Sequence, residues 1–536
     1  MKPQPPEETE YNFLLQKPGV DETVLDSLRS AGFVVKRQRK TSQEDLYLDT
    51  YDWKLFRGGL TLRLRHANGK NFYTLNNFGK IADGGTERRD IEIEVKRDIR
   101  DPADISSEEI LREVADMIYP RRLMGQVAVR TEREPCNVIS PEGTEVRVFF
   151  DSAGFQARGF NKTREAGRLF EMEIELQKGT PDGLKAIAAS IARTFKLLHS
   201  PKSKLETAIE RLGIRFPTKN PPESLIVKGD DRFDVAAQKI LSFQLSRLQE
   251  NIPGVKADID TEFVHQARVA TRRMRSMIKL FRGAIPERSA IYFAEELFWL
   301  ASLFGAVRDL DVFILNLPQF LAEIELAPQK VKSILSRQIH EERQSQLANL
   351  KAGLSSARWR IFSLRLSTFA HRKPAVNPLA PSALTSVDKI APSLISTHFE
   401  AVIRRGKILL TKPKLKNYHK LRIEFKKLRY ASEFFNSAFG NGLTPFIAEV
   451  VKIQDCLGEL QDTVFTKGLI RRLLKEWKGG IVDPLLVFTL GEIYQLQQRI
   501  SGSKQAEFRE LWKSFDSEET RQKLDKALEL IHRGAK

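Results

Sequence analysis

The period of the apolar residues changes once along the chain, and that change constrains the fold more than any other feature. Up to about Leu212 apolar and polar residues alternate, in stretches such as LTLRLR, DIEIEV, EVRVFF and FEMEIEL. This is the two-residue period of strands with two unlike faces. Helical segments interrupt them at DETVLDSLRSAGF and DGLKAIAASIARTF, with a third expected at SSEEILREVADMI. The stretch RFPTKNPPESLIVKGDD then carries three prolines and little periodicity, and reads as a linker. From Arg232 onward long amphipathic helical patterns dominate, among them DVAAQKILSFQLSRLQENI and QKVKSILSRQIHEERQSQLANLKAGL. A second break, HRKPAVNPLAPSALTSVDKIAP, cuts the helical region in two. At 536 residues the chain exceeds what one core holds. The expected organisation is a strand-built domain over 1–212, a linker over 213–230 and an all-helical domain over 231–536, with halves near 231–372 and 393–536.

The helical halves repeat one another. HQARVATRRMR opens at His265 and HKLRIEFKKLR at His419, and each places His, Arg, a pair of bases and Arg at the same steps. GAVRD follows the first copy and GELQD the second, 40 and 39 residues after the histidine, so that Asp309 and Asp462 correspond. Two short patterns recurring in order at nearly one separation indicate a duplicated helical unit with pseudo-symmetric halves.

On a helix His265, Arg268, Arg272 and Arg275 fall within a sector about 80° wide, with Phe263, Ala267, Ala270 and Met274 turned to a core. The second copy aligns His419, Arg422, Lys426 and Arg429 opposite Leu421, Leu428 and Phe435. Like charges one turn apart destabilise a helix by a few tenths of a kcal/mol per pair, so an anion is expected to answer them. A merely solvated face, with Asp309, Asp311 or Asp462 neutralising some of the bases, is the bland alternative. A metal role for the histidines is disfavoured because neither copy carries a carboxylate or second His four residues after the first. The chain as a whole holds 87 Lys and Arg against 69 Asp and Glu, a formal charge of +18, which points to an acidic partner. The charged sector lacks the aromatic platforms on which nucleic-acid bases stack, so bare phosphate suits it better. His265 and His419 are expected to add charge as pH falls from 8 to about 6.

The helical region resembles a CHAD domain, on HQARVATRRMRS, GAVRDLDVF, HKLRIEFKKLRYASEFF and LGELQD. The resemblance implies a bundle of two pseudo-symmetric halves whose basic surface binds inorganic polyphosphate. His265, Arg268, Arg272, Arg275, His419, Arg422, Lys426 and Arg429 would form that surface, with Arg273, Lys427 and Arg308 beside them.

In the strand region, charges recur at alternate positions: Glu8 and Glu10, Arg63 and Arg65, Glu92 and Glu94, and Glu171, Glu173 and Glu175. One reading is a curved sheet with a solvated charged side. The other closes the sheet so that carboxylates hold a hard divalent cation and bases clamp phosphoryl oxygens, the general recipe for phosphoryl transfer. The order of EETEYNF, YLDTYDWKLFRGGLTLRLR, RRDIEIEV, VRTEREP, VRVFFD, FEMEIELQKG and SPKSKLE resembles the CYTH domains, the triphosphate tunnel metalloenzymes. That resemblance implies an eight-stranded antiparallel barrel hydrolysing triphosphate or related phosphoanhydrides with Mg²⁺ or Mn²⁺. Glu8, Glu10, Glu173 and Glu175 would hold the metal, and Arg63, Arg65, Arg130, Arg147 and Lys204 would grip phosphates. The chain departs from the family at Asn12 and Asn76, where Lys is expected. A charge-assisted contact is worth about 1.5–3 kcal/mol, so two lost cations predict slow catalysis.

No Walker-type phosphate loop, His-Glu-x-x-His zinc pattern or Gly-x-Ser-x-Gly elbow occurs. Two cysteines, Cys136 and Cys456, exclude a disulfide framework or a Cys-rich zinc site. No apolar run is long enough to span a bilayer. The expectation is a cytoplasmic protein, associated with polyphosphate granules, that binds polyphosphate or triphosphate. A catalytically impaired docking protein stands beside it as the alternative, with a nucleic-acid binder behind.

Overall fold

The computed structural model describes residues 8–530 apart from 16–18, 78–79, 83–84, 89, 96–109, 111–113, 115–116, 119–120, 159–163, 201, 215–224, 325–328, 377 and 477–482. Side chains before Glu10 and over 78–90 also lie outside the description, the Glu8 carboxylate among them. So does most of the helix expected over 106–118. The chain divides into two compact units, Met1–Pro221 and Pro222–Lys536.

The first unit is built on strands β1 (Glu8–Leu14), β2 (Val34–Arg37), β3 (Thr41–Asp49), β4 (Leu60–Ala67), β5 (Lys70–Asn77), β6 (Lys80–Ala82), β7 (Gly85–Arg88), β8 (Asp90–Val95), β9 (Met124–Ile139), β10 (Glu145–Ala157), β11 (Glu165–Lys178) and β12 (Leu198–His199). Helices α1 (Val20–Ser30), α2 (Lys54–Arg57), α3 (Pro181–Phe195) and α4 (Lys204–Arg211) accompany them. The hydrogen-bonded order runs β7-β1-β11-β10-β9-β3-β4-β5-β8, antiparallel throughout. Only residue 89 separates β7 from β8, so this ribbon joins β1 to β5 and the sheet closes as an eight-stranded barrel. Asn68 and Gly69, both at positive φ, supply the tight turn between β4 and β5 that only such residues adopt readily.

Alternation sorts the side chains of this barrel in an inverted sense. Val146, Val148, Met172 and Ile174 face outward, where Leu25 and Leu28 of α1 and Leu184 and Ile187 of α3 cover them in one buried cluster. Glu171, Glu173 and Glu175, on the intervening positions, face inward. Along the barrel axis the interior changes character. Arg133 pairs with Asp151, and the same rows continue through Thr131 opposite Ala153 to Val129 opposite Phe155. These lower positions join Val127, Leu169 and α4's Leu205 and Ala208 in a second buried cluster. Helix α4 thus stoppers one end of the barrel, and a polar cavity is left above it.

The second unit repeats itself helix by helix. Its first half holds α5 (Phe233–Ala257), α6 (Thr261–Leu280), a short 3₁₀ turn, α7 (Glu287–Ala322), α8 (Gln329–Ser355) and α9 (Ala357–His371). The second half runs α10 (Val387–Thr411), α11 (Leu415–Phe435), a short 3₁₀ turn, α12 (Thr444–Glu476), α13 (Pro484–Phe515) and α14 (Glu518–Glu529). Arg232 and Ser386, the residues that cap α5 and α10, bridge to each other at equivalent points. Asp260 caps α6 by accepting from the amides of Glu262 and Phe263 (3.0 and 3.3 Å), which anchors the helix just ahead of His265. Gly254 is required beside it, because a Cβ there would stand 2.1 Å from the Phe263 ring. Among the described residues no helix is long and apolar enough to cross a membrane.

Candidate functional sites

The barrel cavity, about 170 Å³, is walled almost entirely by charge. Six carboxylates line it, from Glu10, Asp45, Glu92, Glu171, Glu173 and Glu175, against five cations, from Arg63, Arg65, Arg133, Lys202 and Lys204. Glu10, Glu173 and Glu175 each bring one oxygen within 4.8 Å of the others. Three carboxylate oxygens so gathered are the donor set of a hard divalent cation, and they fit Mg²⁺ or Mn²⁺ in chemistry. Burial alone would raise the Glu173 carboxyl, but Arg133 and Lys204 overcome it and hold the group well below the usual carboxylate range. Its neighbour Glu175, buried and facing the Glu173 charge, is pushed up to about 8. The two therefore share a proton at neutral pH.

The cations of the cavity are engaged by acids. Arg133 donates to both oxygens of Asp151 (2.8 and 2.7 Å) and to Glu173 (2.7 Å), with its guanidinium over the Phe149 ring at 4.1 Å. Lys204 donates to the same Asp151 oxygen (2.7 Å) and to Glu173 (3.4 Å). It enters from the first turn of α4, whose start is fixed by a capping box between Ser203 and Glu206. Arg65 forks onto Asp45 at 2.7 and 3.3 Å. Burial would raise the Asp45 carboxyl, yet Arg63 and Arg65 lower it on balance.

Of the residues expected here, Glu10, Glu173, Glu175, Arg63, Arg65 and Lys204 meet around one cavity. Arg130 does not. It is 67% exposed on the outer face and pairs with Glu44 at 3.2 Å. Arg133 stands inside instead, because residues three apart on a strand point to opposite faces. Arg147 lies on the inward side of β10 beyond the cavity residues, donating to Asn137 at 3.4 Å. Asn12 and Asn76 line the cavity as expected for the departures, and Asn12 donates to Glu10 at 3.2 Å. Sequence reading missed Arg133 and Asp151. Both signals were present: Asp151 lies two and four positions after Phe149 and Arg147, and Arg133 continues the row Val127, Val129, Thr131.

In the helical unit α6 and α11 bring the two copies of the repeat together. Arg268, Arg272, Arg308, Arg422 and Lys426 act on one another electrostatically across the halves, with Asp309 and Asp462 between them. Arg268 reaches Asp309 at 3.1 Å. Arg272 donates through Nε to the Tyr430 hydroxyl at 2.6 Å. The Nε of Arg422 is buried with no hydrogen-bond partner among the described residues. Burial and then Arg422, Arg272 and Arg268 push the Lys426 ammonium down to about 6.

Other expectations for this face divide. Arg273 and Arg429 are turned to Glu433, at 2.5 and 2.6 Å, and Lys427 to Glu424 at 3.0 Å. Arg275 lies over the Phe298 ring, 5.1 Å from its centre. His419 is exposed and its Nδ1 meets Gln461 Oε1 at 2.8 Å. His265 corrects its expectation outright. Burial, then Arg308, Arg272 and Arg268, lower its pKa to about 4, so it stays neutral between pH 6 and 8. Asp311 is also excluded from the face, being buried against Arg343 at 2.6 Å.

A closed barrel with an acid- and base-lined interior, followed by a duplicated helical bundle with a cationic seam, defines a two-domain class of chain. Residues 7–209 match the CYTH domain family and residues 239–471 the CHAD domain family. The two matches place a CYTH domain ahead of a CHAD domain in one chain. An uncharacterized protein of Mycobacterium tuberculosis is 24% identical over 522 residues, 92% of this chain and 95% of that one. PptA from Streptomyces chartreusis is similar over 53% of this chain and 99% of its own (15% identity, TM-score 0.44). The CHAD domain of the plant Ricinus communis is similar over 58% of this chain and 95% of its own (22% identity, TM-score 0.41).

Proposed function

We propose that the helical unit binds inorganic polyphosphate along α6 and α11, and that the barrel hydrolyses a short phosphoanhydride such as triphosphate slowly, with a divalent cation. The observation that carries the first part is the seam where four arginines and a lysine with its pKa pushed down to about 6 surround two carboxylates. Charges in that state are stabilised by an arriving phosphate rather than by water, and guanidinium forks suit its oxygens. Association with polyphosphate granules follows from the same affinity.

For the barrel, the size of the cavity supports a small inorganic substrate, since pockets for drug-sized molecules run to roughly 300–1,000 Å³. Glu10, Glu173 and Glu175 would hold Mg²⁺ or Mn²⁺, which supplies charge neutralisation and polarises phosphoryl oxygens when bound. Arg63, Arg65, Arg133 and Lys204 orient the phosphate chain and meet the charge that develops on it. Glu175 keeps a proton that must leave as the three carboxylates take up a cation. Asp151 holds Arg133 and Lys204 in place between turnovers.

The docking protein without turnover is favoured by a specific observation: Asn12 spends its amide on Glu10, and Arg133 and Lys204 are already occupied by acids. Phosphate release from triphosphate with Mn²⁺ separates the two readings. Steady release that Glu10→Gln removes supports the enzyme; tight triphosphate binding without release supports the docking protein.

A further inference from the structure

Beside the cationic seam, α6, α10 and α11 enclose a second cavity of about 470 Å³, nearly three times the size of the barrel's. Arg272 and Lys426 line it, Arg275 and Lys279 extend its charge, and Lys427 lines it while paired with Glu424, no carboxylate being among the lining residues themselves. Leu280, Ile423, Ala431 and Phe434 make an apolar part of its wall, beside Ser276, His398 and Tyr430. Ile423 is 41% exposed, and Phe434 is buried.

That wall has no use for a bare phosphate polymer, which carries no apolar group. A ligand with a phosphate chain at one end and a flat, weakly polar body at the other matches both walls. We propose that this cavity is a site for a nucleoside di- or triphosphate. Its phosphates lie on Arg272, Lys426 and Arg275, and its base against Leu280, Ile423 and the edge of Phe434. The Ser276 hydroxyl and His398, which also line the cavity, supply hydrogen bonds to the body of the ligand. The barrel cavity is too small for the same molecule, so the two cavities sort phosphates by what the chain of phosphates is attached to. The inference rests on the proposed reading of α6 and α11 as a phosphate surface, because Arg272 and Lys426 serve both.

The test compares ATP with inorganic triphosphate by calorimetry on the full chain, in EDTA so that no metal-dependent turnover intervenes. The expected result is about tenfold tighter binding of ATP, the discrimination typical of one well-filled apolar contact. Ile423→Ser with Leu280→Ser, at positions not fully buried, should erase that advantage and leave polyphosphate binding intact. Equal affinities for the two ligands, or an advantage that survives the double variant, would overturn the site. Failure of polyphosphate to bind, with the ATP advantage present and lost in the variant, would sink the polymer reading and leave this one standing.

Discussion

The barrel cavity and the helical seam both gather cations, but they hold them in opposite states. In the barrel Arg65, Arg133 and Lys204 are each tied to a carboxylate, and acids outnumber bases around the cavity. In the seam Arg268, Arg272, Arg422 and Lys426 crowd one another around Asp309 and Asp462, and the Arg422 Nε is buried without a partner among the described residues. On the proposed reading, the neutralised cavity takes an anion only together with a cation, and the under-neutralised seam takes an anion alone. The difference teaches that metal dependence can be read from the balance of fixed charges and not only from a set of ligands.

Chelation probes the contrast most sharply. With EDTA the barrel should lose triphosphate hydrolysis entirely, while polyphosphate binding by the same sample stays within about twofold. Loss of both would break the comparison. Reversal of Arg268, Arg272, Arg422 and Lys426 to Glu should then weaken polyphosphate binding by at least ~100-fold, with helical circular dichroism and triphosphate hydrolysis retained. Unchanged binding would remove the seam from the anion site.

A smaller effect is expected from restoring cations to the barrel. Asn12→Lys with Asn76→Lys should raise hydrolysis by about tenfold, limited because a lysine at 12 also meets Glu10. A drop in rate would mean that the new charge competes for the metal ligand.

The pH dependence of polyphosphate binding sharpens the other side. Lys426 titrates at about 6 in the free protein, so at pH 8 it is mostly uncharged. A phosphate beside it raises that pKa, and binding therefore takes up a proton. Affinity should rise as pH falls from 9 toward 6, by up to about tenfold per pH unit, and level off below 6 where the free lysine is already charged. Lys426→Gln should flatten the profile and His265→Asn should not. Least of all, Arg130→Ala should change triphosphate binding by less than about twofold, whereas Arg133→Ala should cost at least about tenfold. The reverse ranking would return Arg130 to the site.

The fold was largely legible because period is a local property. Alternation through LTLRLR and FEMEIEL indicated strands with two unlike faces and put the acids of β11 on one of them. Closure into a barrel came from the resemblance to the CYTH domains, and the repeat at His265 and His419 indicated two matching halves. What escaped depends on neighbours that are distant in sequence. Arg130 and Arg133 both belong to VRTEREP, and the pairing of Arg133 with Asp151 settles which of them is the inner one. Arg273 points away from the seam because Glu433, 160 residues on, takes it. A helical wheel contains no partner helix, so it could group His265 with the arginines but could not show that their closeness keeps the imidazole neutral.

The exchange of halves that carries α6 onto α11 has a further consequence if the ligand is a polymer of identical phosphates. Such a chain has no head or tail. A strand crossing from one helix to the other meets a similar succession of bases whichever end arrives first, the mismatches being Arg272 in the place of Lys426 and Arg308 in the place of Gln461. Polarity of entry then costs little, and a step of one phosphate along the seam replaces most contacts by a similar one. A protein so built is suited to slide along its polymer rather than to seek an end, leaving the search for termini to whatever cavity can close on one.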